Sequence, residues 1–164
     1  MPALSTDPAR RAAEEKILAD VEESGLHVRR IKGDEEYPEF AYTVGLARGT
    51  GQAEVIVVGL PADVAQELLN RVADLVDEGR RFVAGDRATD IADGFPVEFR
   101  AVTAKQGEAH LRWAHWLHGD APFDIVQLVY PDRHGRWPWD PATDSAFRWQ
   151  QPLLDAKKLP AWAR

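Results

Sequence analysis

Residues 131–140, PDRHGRWPWD, place two aspartates, two arginines, a histidine and two tryptophans in ten positions. Arginine forks pair with carboxylate or phosphate, and indole faces stack on planar groups, so Arg136, Trp139 and Asp140 could line a cleft for a polar, planar ligand. The same residues also spell a turn. Pro131-Asp132-Arg133-His134-Gly135 has the composition of a tight reversal, with Asp132 taking backbone N–H groups and glycine taking positive φ. Arg136, Trp137 and Trp139 would then start a return strand that Pro138 confines to a sheet edge. The turn reading outweighs the cleft reading, and the two are compatible.

His27, Tyr42 and Thr43 form a second candidate site. If the segments holding them pair, His27 and Thr43 can share a thin strand face on which Ala41 and Gly45 leave room for a ligand. A neutral imidazole there can act as a general base, with Asp132 or Asp140 as its orienting carboxylate. The plainer alternative is that Ala41 and Gly45 admit a helix closely. His110, His115 and His118 are the one histidine cluster and the weak candidates for a metal site. Their spacing does not match the usual helical pair four apart, so no metal and no cofactor are expected. Gln127 is a polar residue inside an apolar strand. It needs partners, either a loop or tail to tie down or a ligand to orient.

Other chemistry is excluded by what is missing. The chain has no cysteine, which removes disulfides, thiolate metal sites and a cysteine nucleophile. Its three serines, Ser5, Ser24 and Ser145, sit in no nucleophile elbow. Gly45, Gly49 and Gly51 lack the lysine or helix start of a phosphate loop. The net charge of -7 argues against nucleic acid as a partner. No signal core and no apolar run of membrane-spanning length occurs, so a cytoplasmic protein without a membrane partner is expected.

The elements that must hold these residues follow from periodicity. Asp7-Pro8 reads as an N-cap and first helical proline, and Ala13, Ile17, Leu18 and Val21 recur at helical spacing until Gly25, giving a helix over 8–24. Strands are expected at 26–31, at 40–46 with one bulky and one thin face, and at 54–60, a nearly all-apolar segment covered on both sides. Pro61 opens a helix buried through Val64, Leu68, Val72 and Leu75 and ended by Gly79. Residues 80–94 are irregular with room for one edge strand. PVEFRAV is a strand with one wet face, 107–119 a short amphipathic helix, and FDIVQLVY the last long strand. Residues 1–6 are expected to be disordered. The tail at 155–164 either frays or wraps back through Trp162, with Leu153 and Leu154 just ahead of it.

Together these predict one α+β domain over 1–164. It would be a mostly antiparallel sheet of about five to six strands with two to three helices packed on it.

GLHVRRI, EFAYTVGL, EVIVVGLP with its helix, GFPVEF and QLVYPDRHGRWPWD with QPLL, in that order, resemble a bacterial family, domain of unknown function 4262. The resemblance runs from about His27 to Leu154. The matching positions are His27, Phe40, Ala41, Tyr42, Thr43, Gly45 and Leu46, then Gly59, Leu60 and Pro61, then Pro131, Asp132, Gly135, Pro138 and Trp139. Where the family tends to read His-Pro before the acidic residue of the third strand, this chain has Gln52-Ala53 before Glu54. The resemblance implies a discrete, cytoplasmic, bacterial single domain and brings no activity with it.

Three functions are therefore carried forward. The first is a small-molecule or peptide-binding accessory protein, its pocket between the 40–46 strand and the 131–140 loop. Tyr42, Thr43, Gln127, Arg136 and Trp139 would bind the ligand. The second is a hydrolase-like enzyme with His27 as base and Asp132 or Asp140 beside it, acting on a phosphate- or amide-containing substrate. The third is an immunity or regulatory module that docks a protein through exposed tryptophans. Oligomeric state is not legible in the sequence.

Overall fold

The computed structural model describes residues 2–163. Met1 of the segment expected to be disordered and Arg164 of the expected tail lie outside the described residues. The first helix, α1 (Pro8–Ser24), begins as its sequence dictates. Asp7 accepts the Arg10 N–H at 2.9 Å, and Gly25, at φ 88°, closes the last turn with its N–H on Val21. Upstream of the cap, the Ser5 N–H donates to the buried Glu14 carboxylate at 2.6 Å.

Three antiparallel strands follow, β1 (His27–Ile31), β2 (Phe40–Val44) and β3 (Glu54–Val58). After them come α2 (Ala62–Asp77), the edge strand β4 (Arg87–Ala88) and β5 (Val97–Ala101). The last third holds α3 (Ala104–His110), α4 (Arg112–His118), β6 (Ile125–Val129), α5 (Ser145–Gln150) and a 3-10 turn at Ala161–Ala163. The strands form one sheet in the order β1-β2-β3-β6-β5-β4.

The α+β expectation holds, with one refinement. The sheet is mixed, because β3 and β6 run parallel while every other neighbouring pair is antiparallel. Both faces are covered. On one, α2 buries Leu69, Val72 and Val76 against Ala41, Val55, Val57, Phe99 and Leu128. Val64, expected in that stripe, is instead exposed at 36%. On the other, Ile17 of α1 and Leu111, Ala114 and Leu117 around α4 pack on Phe40, Tyr42, Val44, Ile56 and Val58.

At Gly45 helix α1 approaches closely. A Cβ there would stand 2.9 Å from the Val21 side chain, so the small residue admits a helix, the plainer of its two readings.

Two local expectations are corrected. The helix expected over 107–119 is broken at Leu111 (φ −100°, ψ 52°), which separates α3 from α4. The return strand after Gly135 does not form. Successive turns carry the chain instead into α5, a short helix absent from the sequence reading.

Candidate ligand-binding cavity

The break at Leu111 sends the three histidines to different partners. His110 points to the mouth of β2, where its Nε2 meets the Tyr37 hydroxyl at 2.7 Å and its Nδ1 meets the Gln106 carbonyl at 2.8 Å. A carbonyl only accepts, so Nδ1 carries the proton. Burial lowers the His110 pKa from 6.5 and keeps the ring neutral. Nε2 is therefore an acceptor, and Tyr37 donates to it. His118 instead donates from Nε2 to Glu54 at 2.7 Å. That wholly buried carboxylate also takes the Thr43 hydroxyl and the Gly45 N–H, each at 2.8 Å. Both His115 and His118 pack on Phe123. Among the described residues no cluster of histidines and carboxylates has metal-binding geometry.

Around Tyr37 and His110 lies a cavity of about 270 Å³. Its walls are aromatic: Phe40 and Tyr42 from β2, Trp113 from α4, and Trp162 from the C-terminal turn. The Trp162 indole lies parallel to Phe40 at 6.4 Å and edge-on to both Tyr37 and His110, so the tail wraps back over the cavity. Trp113 is flanked by the Arg10 and Arg29 guanidiniums at 4.7 and 5.2 Å.

Lys32 and Arg112 also line the cavity, and neither side chain forms an ion pair or hydrogen bond among the described residues. The lining carboxylate, Asp34, accepts the Glu36 and Tyr37 N–H groups on Oδ1 and pairs with neither cation. Burial pushes the Tyr42 hydroxyl up to about 12, against the smaller opposing pull of the Trp113 N–H and then of Arg29 and Arg112, and burial raises Tyr37 as well. Both phenols are protonated at neutral pH.

The 131–140 loop is built differently. Asp132 Oδ1 accepts the His134 and Arg136 N–H groups at 2.8 and 2.9 Å, and Gly135 takes φ 79°. Asp140 accepts the Trp137 N–H at 2.7 Å. Arg136 donates to the Ala142 carbonyl. Trp137 and Trp139 stack 5.2 Å apart, with Arg87 over the first and Arg100 over the second. A larger hollow of about 690 Å³ lies beside this loop, lined by Tyr130, Asp132, Phe147 and Gln150 among others. Its Asp132, Gln150 and Tyr130 side chains already bond to protein groups. Size alone does not favour it over the smaller, aromatic-walled cavity.

The expected pocket between the 40–46 strand and this loop does not form, because β3 and β6 stand between β2 and the strands the loop covers. Tyr42 lines one cavity and Asp132 another. His27 is likewise relocated. It lies opposite Val44 in the register, while Val28 lies opposite Thr43, so His27 and Thr43 do not share a face. Its carboxylate partner is Asp20 of α1 at 2.7 Å, in place of Asp132 or Asp140. Lys16 also reaches Asp20, and these two bonds outweigh the burial penalty and lower the Asp20 pKa.

Thr43 is committed to Glu54. Gln127 ties down the tail, donating to the Pro152 carbonyl and accepting the Leu154 N–H. Of the sequence-stated ligand residues, Tyr42 alone lines the aromatic cavity. Tyr37, Arg112, Trp113 and Trp162 were missed. They come from three separate segments, and the one local signal was Tyr37-Pro38 inside an otherwise acidic loop.

The model of the family described as Domain of unknown function (DUF4262) matches residues 20–144. The chain belongs to the DUF4262 family. The match takes in β1 through the 131–140 loop, and so the segments that carried the resemblance up to Asp140. No curated protein and no solved structure matches the chain. No helix among the described residues is long and apolar enough to cross a membrane.

Proposed function

We propose that this DUF4262 protein is a bacterial, cytoplasmic accessory domain that binds a small molecule in the aromatic cavity between β2, α3, α4 and the C-terminal turn. One observation carries the reading. An aromatic-walled cavity holds two cationic side chains, Lys32 and Arg112, that no protein group among the described residues neutralises, in a chain of net charge -7. A protein interaction module is less well supported, because the indoles of Trp113 and Trp162 line a cavity and Trp137 is buried. The test is a thermal-shift screen of the full chain against nucleotides, amino acids, short peptides and aromatic acids. At least one class should raise Tm, and Trp113→Ala should abolish that response. Silence from every class, or a response unchanged in Trp113→Ala, contradicts the reading.

A second reading, a hydrolase with His27 as base, is favoured by the Asp20 carboxylate that orients the imidazole. His27 lines neither of the two cavities described above. Turnover of 4-nitrophenyl phosphate or a 4-nitroanilide that disappears in His27→Ala would establish it, and no turnover would remove it.

A further inference from the structure

The cavity has a polarity, set by which hydrogen-bonding valences its own protein groups leave open. The Tyr37 proton is committed to His110 Nε2, because the Gln106 carbonyl fixes the imidazole proton on Nδ1. Tyr37 therefore offers its cavity lone pairs only as an acceptor. Tyr42 is the reverse. Its oxygen accepts the Trp113 backbone N–H at 3.2 Å, and its own proton has no acceptor among the described residues. Tyr42 is 1% exposed, so neither water nor a ligand readily reaches that proton, and the accessible polar group at this end is the Arg112 guanidinium.

The charges reinforce this asymmetry. Arg29 and Arg112 both act electrostatically on the Tyr42 hydroxyl, which places positive charge at the donor end. Arg112 has no ion-pair partner among the described residues, and Asp34, the carboxylate on the wall, accepts two backbone N–H groups on Oδ1 and pairs with neither cation. Between the two ends stand the rings of Phe40, Trp113 and Trp162, surfaces that suit a flat hydrocarbon ring.

The geometry points to an aromatic acid bearing a ring hydroxyl or ring N–H as the ligand of this cavity. Its carboxylate meets Arg112, its ring lies among Phe40, Trp113 and Trp162, and its hydroxyl or N–H donates to Tyr37. This rests on the cavity being the binding site, as proposed above, and adds the class and orientation of what enters it. A volume of about 270 Å³ accommodates one ring and its substituents rather than a nucleotide.

The test is calorimetric titration of the full chain with three compounds that share a ring and chain length. They are 4-hydroxyphenylacetate, phenylacetate, which lacks the donor, and tyramine, which carries an ammonium in place of the carboxylate. 4-Hydroxyphenylacetate should bind at least about tenfold tighter than either of the others, as expected when a buried polar partner is left unmet. Tyr37→Phe should bring it down to the level of phenylacetate. Arg112→Gln, a change at an exposed position that leaves folding intact, should weaken both acids and leave tyramine unchanged. Equal affinity for all three compounds keeps the cavity as a site for aromatic rings and overturns the polarity assigned here. Binding of none of them overturns the ligand class assigned here, while a Trp113-dependent response to another class in the thermal-shift screen would keep the cavity as the site.

Discussion

The 131–140 loop and the aromatic cavity make opposite use of similar side chains. The loop is dense in charge and indole, yet each of its notable groups is engaged within the protein. Asp132 and Asp140 hold backbone N–H groups, Arg136 holds a carbonyl, and Trp137 and Trp139 stack on each other beneath two arginines. The cavity is sparse in sequence, assembled from residues that lie far apart along the chain. It keeps valences open: a phenol lone pair and two cations. A concentration of reactive residue types marks a well-braced turn as readily as it marks a site. Unspent hydrogen-bonding capacity beside a cavity is the more informative feature.

The largest effect that can test this contrast lies in the loop. Trp137→Ala removes a buried indole and should cost about 3–5 kcal/mol in urea unfolding, while affinity for a cavity ligand, measured where the variant is folded, stays within about twofold of the parent. A large loss of affinity at intact fold would merge the two regions. Trp162→Ala should do the reverse. This half-exposed residue closes the cavity, so its loss should weaken ligand binding about tenfold and cost no more than about 1 kcal/mol of stability.

A smaller effect is read in pH. His110 is held below its ordinary 6.5 by burial, so the unfolded chain takes up that proton first as the pH falls. Its contribution to stability is complete above pH 6.5 and is lost as the pH falls from there through the lower folded value. His110→Gln should flatten the stability profile in that window. Asp132 is held below 3.8 because backbone N–H bonds from Arg136 and His134 outweigh its burial penalty, so its contribution is lost only in stronger acid. The smallest effect belongs to Arg136→Ala. That side chain makes one exposed bond to a carbonyl, and its removal should stay within about 0.5 kcal/mol and leave ligand affinity untouched.

Much of the fold was legible because it depends on local rules. Asp7-Pro8 and Gly25 bracket α1 by capping chemistry, and the apolar run of β3 is buried from Glu54 to Val58. The parallel pairing of β3 with β6 was not legible, since the choice of a distant strand partner leaves no mark in either strand's periodicity. Nor was the break at Leu111, where the helical pattern of apolar residues continues across a backbone that does not.

The return strand failed for a similar reason. Asp140 caps Trp137, and Arg148 reaches back to the Pro138 and Asp140 carbonyls, so the chain folds on itself before it can extend. The site was less legible than the fold because its residues are joined only by packing. Glu54 was the missed signal closest to hand, a carboxylate heading a wholly apolar strand. It proves to anchor Thr43, Gly45 and His118.

The account's central claim is that ligands enter the aromatic cavity and leave the 131–140 loop alone. Of the chain's six tryptophans two line the cavity and two lie in the loop, and their indole N–H signals can be followed separately by proton–nitrogen correlation NMR. Titration with 4-hydroxyphenylacetate should shift the Trp113 and Trp162 indoles and leave those of Trp137 and Trp139 in place. Shifts confined to Trp137 and Trp139 would contradict it.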